Sequence, residues 1–263
     1  MKTIGHDKPS VALVGCLHGD EVLGKKVIDE LEDVKLKRGS LSFIIANTPA
    51  LAKNKRFIKK DLNRSFPGKR NGEDEEKLAY CLEGVLKDFD YVIDIHATDS
   101  DVGALVIVTS LNKNIKNFLK HIPITKVVLM KKSNFSKGSM IDFCRAGISL
   151  EYGPDKTGRN YKKVLMNVRS ILKNVGLLSG KKELFLKKEL YTVSGTYSVA
   201  SGFKQNNKLR NFCLIKVGQV IGDLNGEESL SKKEFYPLFL GKGAYKRTLA
   251  LVADKKEKIV LED

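Results

Sequence analysis

Short apolar segments alternate with amphipathic segments over the first two thirds of the chain, and this alternation limits the fold more than any other sequence feature. Six apolar segments have the length of buried strands: 10–15, 41–46, 91–95, 104–108, 126–130 and 147–150. Helical spacing of apolar residues predicts four helices: 21–31, 74–86, 113–121 and 158–175. Strands that alternate with helices predict an α/β fold, in which helices flank a mainly parallel sheet.

The pattern changes after residue 178. A polar linker at 179–183 is followed by short alternating segments that Gly and Asn residues separate, and helical periodicity is absent. Such segments are typical of short strands joined by turns. The sequence therefore predicts two domains, an α/β domain over 1–178 and a small β-rich domain over 179–263.

Composition excludes several classes of protein. The chain has 263 residues, of which 42% are hydrophobic, so it can bury a core without disulfides. Its apolar runs fall well short of the ~20 residues of a membrane helix, and its first ten residues lack a signal-peptide pattern. The four cysteines form no CxxC pair. We therefore expect reduced thiols, a cytoplasmic location and no membrane partner.

The chain is strongly basic, with 47 Lys and Arg residues against 31 Asp and Glu residues and a net charge of +16. The Lys residues are spread along the chain, and neither an RNP-like segment nor zinc-finger spacing is present. We therefore expect no specific nucleic-acid partner. A basic surface also attracts small anionic molecules, which are the partners we expect instead. The sequence leaves a homo-oligomer open.

Two of the four histidines follow predicted strands closely. His18 comes after the strand at 10–15, with Glu21 three residues later, and His96 ends the strand at 91–95. In open α/β sheets, ligands bind at the carboxyl ends of strands. Two His and one Glu are a common ligand set for a catalytic zinc, so His18, Glu21 and His96 predict one Zn²⁺ per chain. Asp20 is the competing carboxylate.

Other polar residues complete a hydrolytic site. Asp94 lies on the same strand face as His96 and could orient that ligand from behind. Glu151 ends the strand at 147–150, where it could act as the general base of a zinc hydrolase. Arg56, Asn63 and Arg64 lie in a loop that ends in Pro and Gly, and such side chains can bind a substrate carboxylate. The alternative is an ordinary basic surface loop.

Four short motifs occur in order along the chain: GCLHGDE at 15–21, DLNRSFPG at 61–68, DIHA at 94–97 and SLEYGP at 149–154. Together they resemble the succinylglutamate desuccinylase/aspartoacylase family, a branch of the zinc-carboxypeptidase superfamily. The segment YPLFLGKGAY at 236–245 resembles the family's C-terminal stretch. The resemblance implies a zinc-carboxypeptidase-like fold, and it implies that Tyr245 closes over the substrate.

The resemblance also implies the roles of the site residues. Zinc would be held by His18, Glu21 and His96. Glu151 would be the general base and then the general acid, and Arg56 would polarise the scissile carbonyl. Asn63 and Arg64 would hold the α-carboxylate of the substrate.

One position departs from the family pattern. Members specific for acylaspartate carry an Arg about ten residues before the catalytic Glu, and an ungapped alignment places Ile141 there. Arg145 is the nearest basic residue. The resemblance therefore leaves the acyl group and the amino acid open.

The resulting hypothesis is a zinc-dependent hydrolase that removes the acyl group from an N-acyl amino acid, with the C-terminal domain covering the active-site cleft. A zinc carboxypeptidase acting on peptides would use the same metal site and the same carboxylate-binding loop. A non-enzymatic basic binding protein with a vestigial metal site is the third reading.

Overall fold

The computed structural model of the chain describes residues 1–131, 136–154, 159–241 and 247–262. The α-helices within these residues are α1 (Leu23–Leu31), α2 (Thr48–Ala52), α3 (Asp74–Leu86), α4 (Lys113–Leu119) and α5 (Arg159–Val175). The strands up to α5 are β1 (Lys2–Gly5), β2 (Ser10–Gly15), β3 (Ser40–Ile45), β4 (Tyr91–Ala97), β5 (Ala104–Val108), β6 (Lys126–Leu129) and β7 (Gly147–Tyr152). The strands after α5 are β8 (Lys187–Ser198), β9 (Lys204–Gln205), β10 (Val220–Leu224), β11 (Glu227–Leu230), β12 (Tyr236–Leu238) and β13 (Thr248–Val260). Two short 3-10 helices lie at Leu62–Arg64 and Met140–Phe143.

One ten-stranded sheet organises the molecule, in the order β1-β3-β2-β4-β7-β5-β6-β8-β13-β12. Strand β2 is parallel to β3 and β4, and β4 is parallel to β7. Strand β5 is antiparallel to β7 but parallel to β6. The predicted α/β fold with a mainly parallel, mixed sheet is therefore confirmed.

Helices cover both faces of the central strands. Alternate residues of β2 belong to two different cores, with Val11 and Leu13 on one face and Ala12 and Val14 on the other. Helices α1, α4 and α5 supply the first core, and α3 supplies the second. Because both faces are covered, these strands are mostly apolar rather than alternating, as the sequence predicts.

The observed strands differ from the predicted ones in a way that affects the site. Strand β4 continues to Ala97 and β7 continues to Tyr152, so His96 and Glu151 lie inside their strands rather than just after them. The two residues are register partners. Strand β1 and helix α2 were not predicted, because the first is a short exposed edge strand and the second has five residues.

The C-terminal region is rich in strands, as predicted, and most of its strand residues extend the main sheet. Strand β8 pairs in parallel with β6, and β13 pairs along β8 and then with β12. Strands β9, β10 and β11 form a separate antiparallel sheet. The division of the chain at residue 178 stays a prediction, and the main sheet continues across it. Among the described residues, no helix combines the length and apolar character needed to cross a membrane.

Candidate active site

His18 and Glu21 lie in the turn that joins β2 to α1. The amide N–H of Glu21 donates to the carbonyl of His18 at 3.1 Å, which closes the turn. Gly19 allows this turn to lie against α2, because a Cβ at that position would be 2.2 Å from the carbonyl carbon of Ala50. Gly19 therefore permits the close packing against α2 that positions His18 and Glu21.

His96 meets these residues from β4. The Nδ1 atom of His18 lies 2.7 Å from one oxygen of Glu21, and the Nδ1 atom of His96 lies 2.8 Å from the other. The amide N–H of Ala97 also donates to Glu21, at 3.0 Å. One potential ligand atom from each of the three side chains lies within 4.8 Å of the other two. The structure thus brings together the three residues that the sequence predicts as metal ligands.

Each histidine uses its other ring nitrogen to contact an aspartate. The Nε2 atom of His18 lies 3.2 Å from Asp61, and that of His96 lies 2.5 Å from Asp94. An ionised carboxylate only accepts hydrogen bonds, so a protonated ring nitrogen can donate to either neighbour, Nε2 to the aspartate and Nδ1 to Glu21. The predicted contact of Asp94 is present. Asp61 was missed, because its contact with His18 spans 43 positions of sequence.

The ionisation of the group reflects its dense negative charge. Burial acts to lower the pKa of His96, but the charges of Asp94 and Glu21 outweigh burial and raise that pKa well above its usual value. Burial likewise opposes the effect of Asp61 and Glu21 on His18, whose pKa is also raised. For Glu21 burial acts to raise the pKa, but the two histidines lower it below its ordinary value.

The three residues fit a divalent metal ion. Both imidazoles present Nδ1 to one carboxylate, and three buried or half-buried carboxylates surround the pair, so the site favours positive charge at its centre. Imidazole nitrogen and carboxylate oxygen are ligands that zinc accepts. Asp20, the competing ligand, is exposed and stands outside the group of residues that could hold a metal.

Glu151 lies beside the metal group on β7. The residue is 8% exposed, and its carboxyl group has no hydrogen-bond partner in the described part of the chain. Burial raises the pKa of Glu151 to about 8, and the nearby charge of Glu21 adds to the increase, while His96 opposes it. A carboxyl group that exchanges its proton near neutral pH suits acid–base work.

Arg56 lies against the metal group. Its Nη1 donates to Glu21 at 3.1 Å, and its Nη2 donates to Asp61 at 3.3 Å. Arg56 thus links a predicted ligand to the aspartate that contacts His18, and a third of its side chain remains exposed at the cavity. The guanidinium group holds fixed positive charge next to the metal group.

Asn63 and Arg64 lie on the 3-10 helix Leu62–Arg64, which Asp61 caps by accepting from the Asn63 amide at 2.9 Å. The side-chain oxygen of Asn63 accepts from the amide of Met140 at 2.9 Å, so its NH₂ group is the part that can donate to a substrate. Arg64 is exposed and lines the cavity.

Glu75 holds the preceding loop in place, and sequence reasoning missed it. The residue is 2% exposed, and its carboxylate accepts from the backbone amides of Ile58, Lys59 and Lys60. These amides lie between Arg56 and Asp61 in sequence, so Glu75 fixes the segment that carries both. A Glu in the first turn of a helix is common, and nothing in the sequence distinguishes this one.

A cavity of about 950 Å³ is lined by the predicted metal-binding, catalytic and substrate-binding residues that lie in the described part of the chain. His18, Glu21, His96 and Glu151 line it together with Arg56, Asn63 and Arg64. The predicted Tyr245 lies outside the described residues.

Ile141, at the position of the family's arginine, and Arg145, the nearest basic residue, do not line the cavity. Ile141 is buried in the core beneath α3. Arg145 precedes β7, and its Nη1 lies 3.3 Å from Oδ1 of Asp90, which precedes β4. Arg145 therefore stands at the amino ends of these strands, whereas His96 lies near the carboxyl end of β4. Arg145 therefore cannot replace an arginine of the cavity.

Known proteins are similar to this chain in sequence and in fold. The family model of the succinylglutamate desuccinylase/aspartoacylase catalytic domain matches residues 7–176. A probable aspartoacylase of Prochlorococcus marinus is 25% identical, over 95% of both chains. The N-acyl-aromatic-L-amino acid amidohydrolase (carboxylate-forming) of Rattus norvegicus is 26% identical, over 95% of this chain and 92% of its own.

Solved structures agree on the fold. The crystal structure of murine aminoacylase 3 superposes with a TM-score of 0.81 at 23% identity, and the match covers 98% of each chain. The family model spans more than half of the chain, and all four sequence motifs lie within the residues that it matches. This chain therefore belongs to the succinylglutamate desuccinylase/aspartoacylase family.

Proposed function

We propose that this protein is a zinc-dependent amidohydrolase that removes the acyl group from an N-acyl amino acid. The observation that carries the proposal is the convergence of His18, Glu21 and His96 beside the buried carboxyl group of Glu151. Three such ligands with a neighbouring carboxylate are typical of hydrolytic zinc sites. The names of the relatives, aspartoacylase and N-acyl-aromatic-L-amino acid amidohydrolase, support the same substrate class.

One zinc ion per chain would be held by His18, Glu21 and His96. When bound, it supplies Lewis acidity, which lowers the pKa of water and polarises an amide carbonyl. Asp61 and Asp94 would keep the two imidazoles in the tautomer that offers Nδ1 to the ion.

Glu151 is the proposed general base. Its carboxylate takes a proton from the water whose oxygen forms the new bond to the acyl carbon. The same group then gives that proton to the amide nitrogen as the C–N bond breaks. The products are a carboxylic acid and an amino acid with a free amine.

The cationic side chains have separate proposed roles. Arg56, fixed between Glu21 and Asp61, would stabilise negative charge that develops on the carbonyl oxygen. Asn63 and Arg64 would bind the α-carboxylate through the amide NH₂ and the guanidinium group. Tyr245 is a further substrate-binding residue on the family resemblance alone.

A zinc carboxypeptidase acting on peptides would need the same ligands and the same carboxylate anchor. Phe239 and Leu251, from the C-terminal strands and their loops, line the cavity and support a small substrate rather than a peptide chain. The two domains, with the second one covering the cleft, and a cytoplasmic location belong to the same proposal. The unpaired state of all four cysteines supports that location.

A hydrolysis panel tests the proposal. Zinc-loaded protein is assayed against N-acetyl amino acids and against dipeptides with a free C-terminus, and released amine is measured. We expect turnover of the N-acetyl amino acids, with dipeptides hydrolysed at least tenfold more slowly. Faster hydrolysis of dipeptides would identify a carboxypeptidase, and no hydrolysis of either set would favour the binding protein.

A further inference from the structure

The cavity changes in character as it extends from the metal group across the sheet. In the strand order β4, β7, β5, β6, β8, β13, the cavity passes from His96 and Glu151 to Ile107, and then to Met130 and Leu251. Met130 and Leu251 belong to one apolar cluster, against which Ile107 and Phe239 pack. We call Ile107, Met130, Phe239 and Leu251 the apolar wall.

Positive charge is confined to the other end of the cavity. In the described part of the chain, the cations that line it are Lys26 on α1 and Arg56 and Arg64 in the segment after α2. Arg145 stands at the opposite end of the central strands. A substrate whose α-carboxylate meets Arg64 therefore presents another of its groups to the apolar wall, and no described cation stands there to pair with a carboxylate.

Phe239, which belongs to the apolar wall, has a strained backbone conformation. Its φ angle is 57°, in the left-handed region that bulky residues rarely adopt. Such a conformation persists only where the surroundings impose it, and it occurs often at binding sites.

Two polar side chains impose the conformation by holding the next residue, Leu240. Ser100, which is 3% exposed, donates from its hydroxyl to the carbonyl of Leu240 at 2.7 Å. The side-chain oxygen of Asn211 accepts from the amide of Leu240 at 2.8 Å. The NH₂ group of Asn211 donates to the Ser100 hydroxyl at 3.0 Å and to the carbonyl of Asp101 at 2.9 Å.

We call these contacts the Ser100–Asn211 latch. Ser100 follows β4, the strand that carries His96, whereas Asn211 and Leu240 belong to the C-terminal region. The latch therefore joins the end of the metal-bearing strand to the segment that carries Phe239. Both backbone groups of Leu240 are used, so the segment has little freedom to turn the ring away.

We propose that the apolar wall binds an uncharged, apolar group of the substrate, with Phe239 as its specificity-determining residue and Ser100 and Asn211 as positioning residues. The inference rests on the proposed function and narrows it. The group is either the amino-acid side chain or the acyl chain, because both extend from the scissile amide. If the group is the amino-acid side chain, N-acetylaspartate is a poor substrate.

Two series of substrates separate the two sources of the apolar group. The first keeps the acetyl group and varies the amino acid through alanine, aspartate, leucine and phenylalanine. The second keeps alanine and varies the acyl group through acetyl, butanoyl and hexanoyl. We expect at least one apolar series to raise kcat/KM about 10-fold over N-acetylalanine, because a pocket gains roughly this factor per added apolar group. If the amino-acid series is the one that rises, N-acetylaspartate should fall below N-acetylalanine.

Variants assign the preference to the named residues. Phe239→Ala should lower the ratio of kcat/KM for the preferred apolar substrate to that for N-acetylalanine about 10-fold. Phe203→Ala is the matched control, because Phe203 is also half-buried in the C-terminal region but does not line the cavity. It should leave the ratio of the two substrates unchanged.

The latch is tested by the same ratio. Ser100→Ala and Asn211→Ala should each reduce the apolar preference, and Ser100→Thr, which keeps the hydroxyl, should restore it. Asn206→Ala is the control, since Asn206 also bonds the backbone of the C-terminal region, at Val220 and Lys208. A loss of melting temperature with an unchanged ratio would show that the latch has only a structural role.

A binding measurement distinguishes failure of this inference from failure of the proposed function. The full-length Glu151→Gln variant is titrated calorimetrically with N-acetylphenylalanine, N-hexanoylalanine and N-acetylaspartate. Tighter binding of either apolar ligand supports the wall even if the wild type hydrolyses nothing, which would overturn the function alone. Equal or tighter binding of N-acetylaspartate overturns the wall, even if the wild type is an efficient deacylase.

Discussion

At one end of the cavity the side chains are charged and bonded to one another, whereas at the other end they are apolar and packed. Glu21 connects to both histidines and to Arg56, so contacts between opposite charges join these four side chains. Met130 and Leu251 at the far end are held by burial in an apolar cluster.

This difference separates the chemistry from the choice of substrate. A change at the charged end should alter metal binding or turnover for every N-acyl amino acid, and a change at the apolar end should alter the ratio between N-acyl amino acids. Each prediction below would break this separation if it failed.

The largest effect is expected for His96→Ala. This change removes one of three ligands, so zinc content near one per chain should fall close to zero and hydrolysis should be lost. Zinc is measured by mass spectrometry after dialysis. The control is His6→Ala, because the His6 side chain is 92% exposed and remote from the site. Zinc retained in full by His96→Ala would contradict the ligand assignment.

Glu151→Gln should reduce kcat by about 10²–10⁴-fold, since general base catalysis contributes a factor of this size. Zinc content and melting temperature should match the wild type, and all substrates should lose activity in the same proportion. Glu228→Gln, on the exposed strand β11, is the control. Loss of zinc from Glu151→Gln would make Glu151 a ligand instead of a base.

Asp61→Asn and Asp94→Asn should each weaken zinc binding about 10–100-fold, because partners of ligating imidazoles set their orientation and basicity. Competition with a chelator measures the affinity. Asp223→Asn, which changes a carboxylate that accepts from a turn amide in the small sheet, should have no effect. An unchanged affinity in both variants would mean that the two contacts only support the loops.

The smallest effect is expected for Arg64→Lys. Lys cannot form the paired hydrogen bonds of a guanidinium group with a carboxylate, but Arg64 is exposed, so the loss in kcat/KM should be about 10-fold. The corresponding α-amide substrate should lose nothing. Arg70→Lys, also at an exposed position, is the control. Equal losses on the acid and amide substrates would remove the carboxylate anchor from Arg64.

The elements that the sequence predicted well are those whose pattern is local. Helix α3 has its predicted bounds, since a capping box of Glu73 and Glu76 marks its start and an apolar stripe marks its length. His18 and His96 were found because each stands where a buried apolar segment ends. The family that the motifs indicated is confirmed.

Contacts between distant parts of the chain could not be predicted. Asp61 opens one of the four motifs, but the sequence gives no sign of its contact with His18, and Glu75 is ordinary in sequence; only the folded loop brings them to His18 and to the backbone of 58–60. The apolar wall depends on β8 and β13 joining the main sheet, and alternation within a strand does not tell which sheet it enters. Phe239 also gives no local signal, because its backbone conformation depends on Ser100, which lies 139 positions earlier.

The parallel pairing of β6 with β8 has a consequence for how this protein can be dissected. A fragment ending at residue 178 would keep the metal-site motifs but lose β8, which would leave the backbone N–H and C=O groups of β6 without their partner strand. An uncovered, apolar strand edge is a template for pairing with other chains, so such a fragment should self-associate and precipitate. Successful expression of the catalytic residues thus depends on a strand encoded after them.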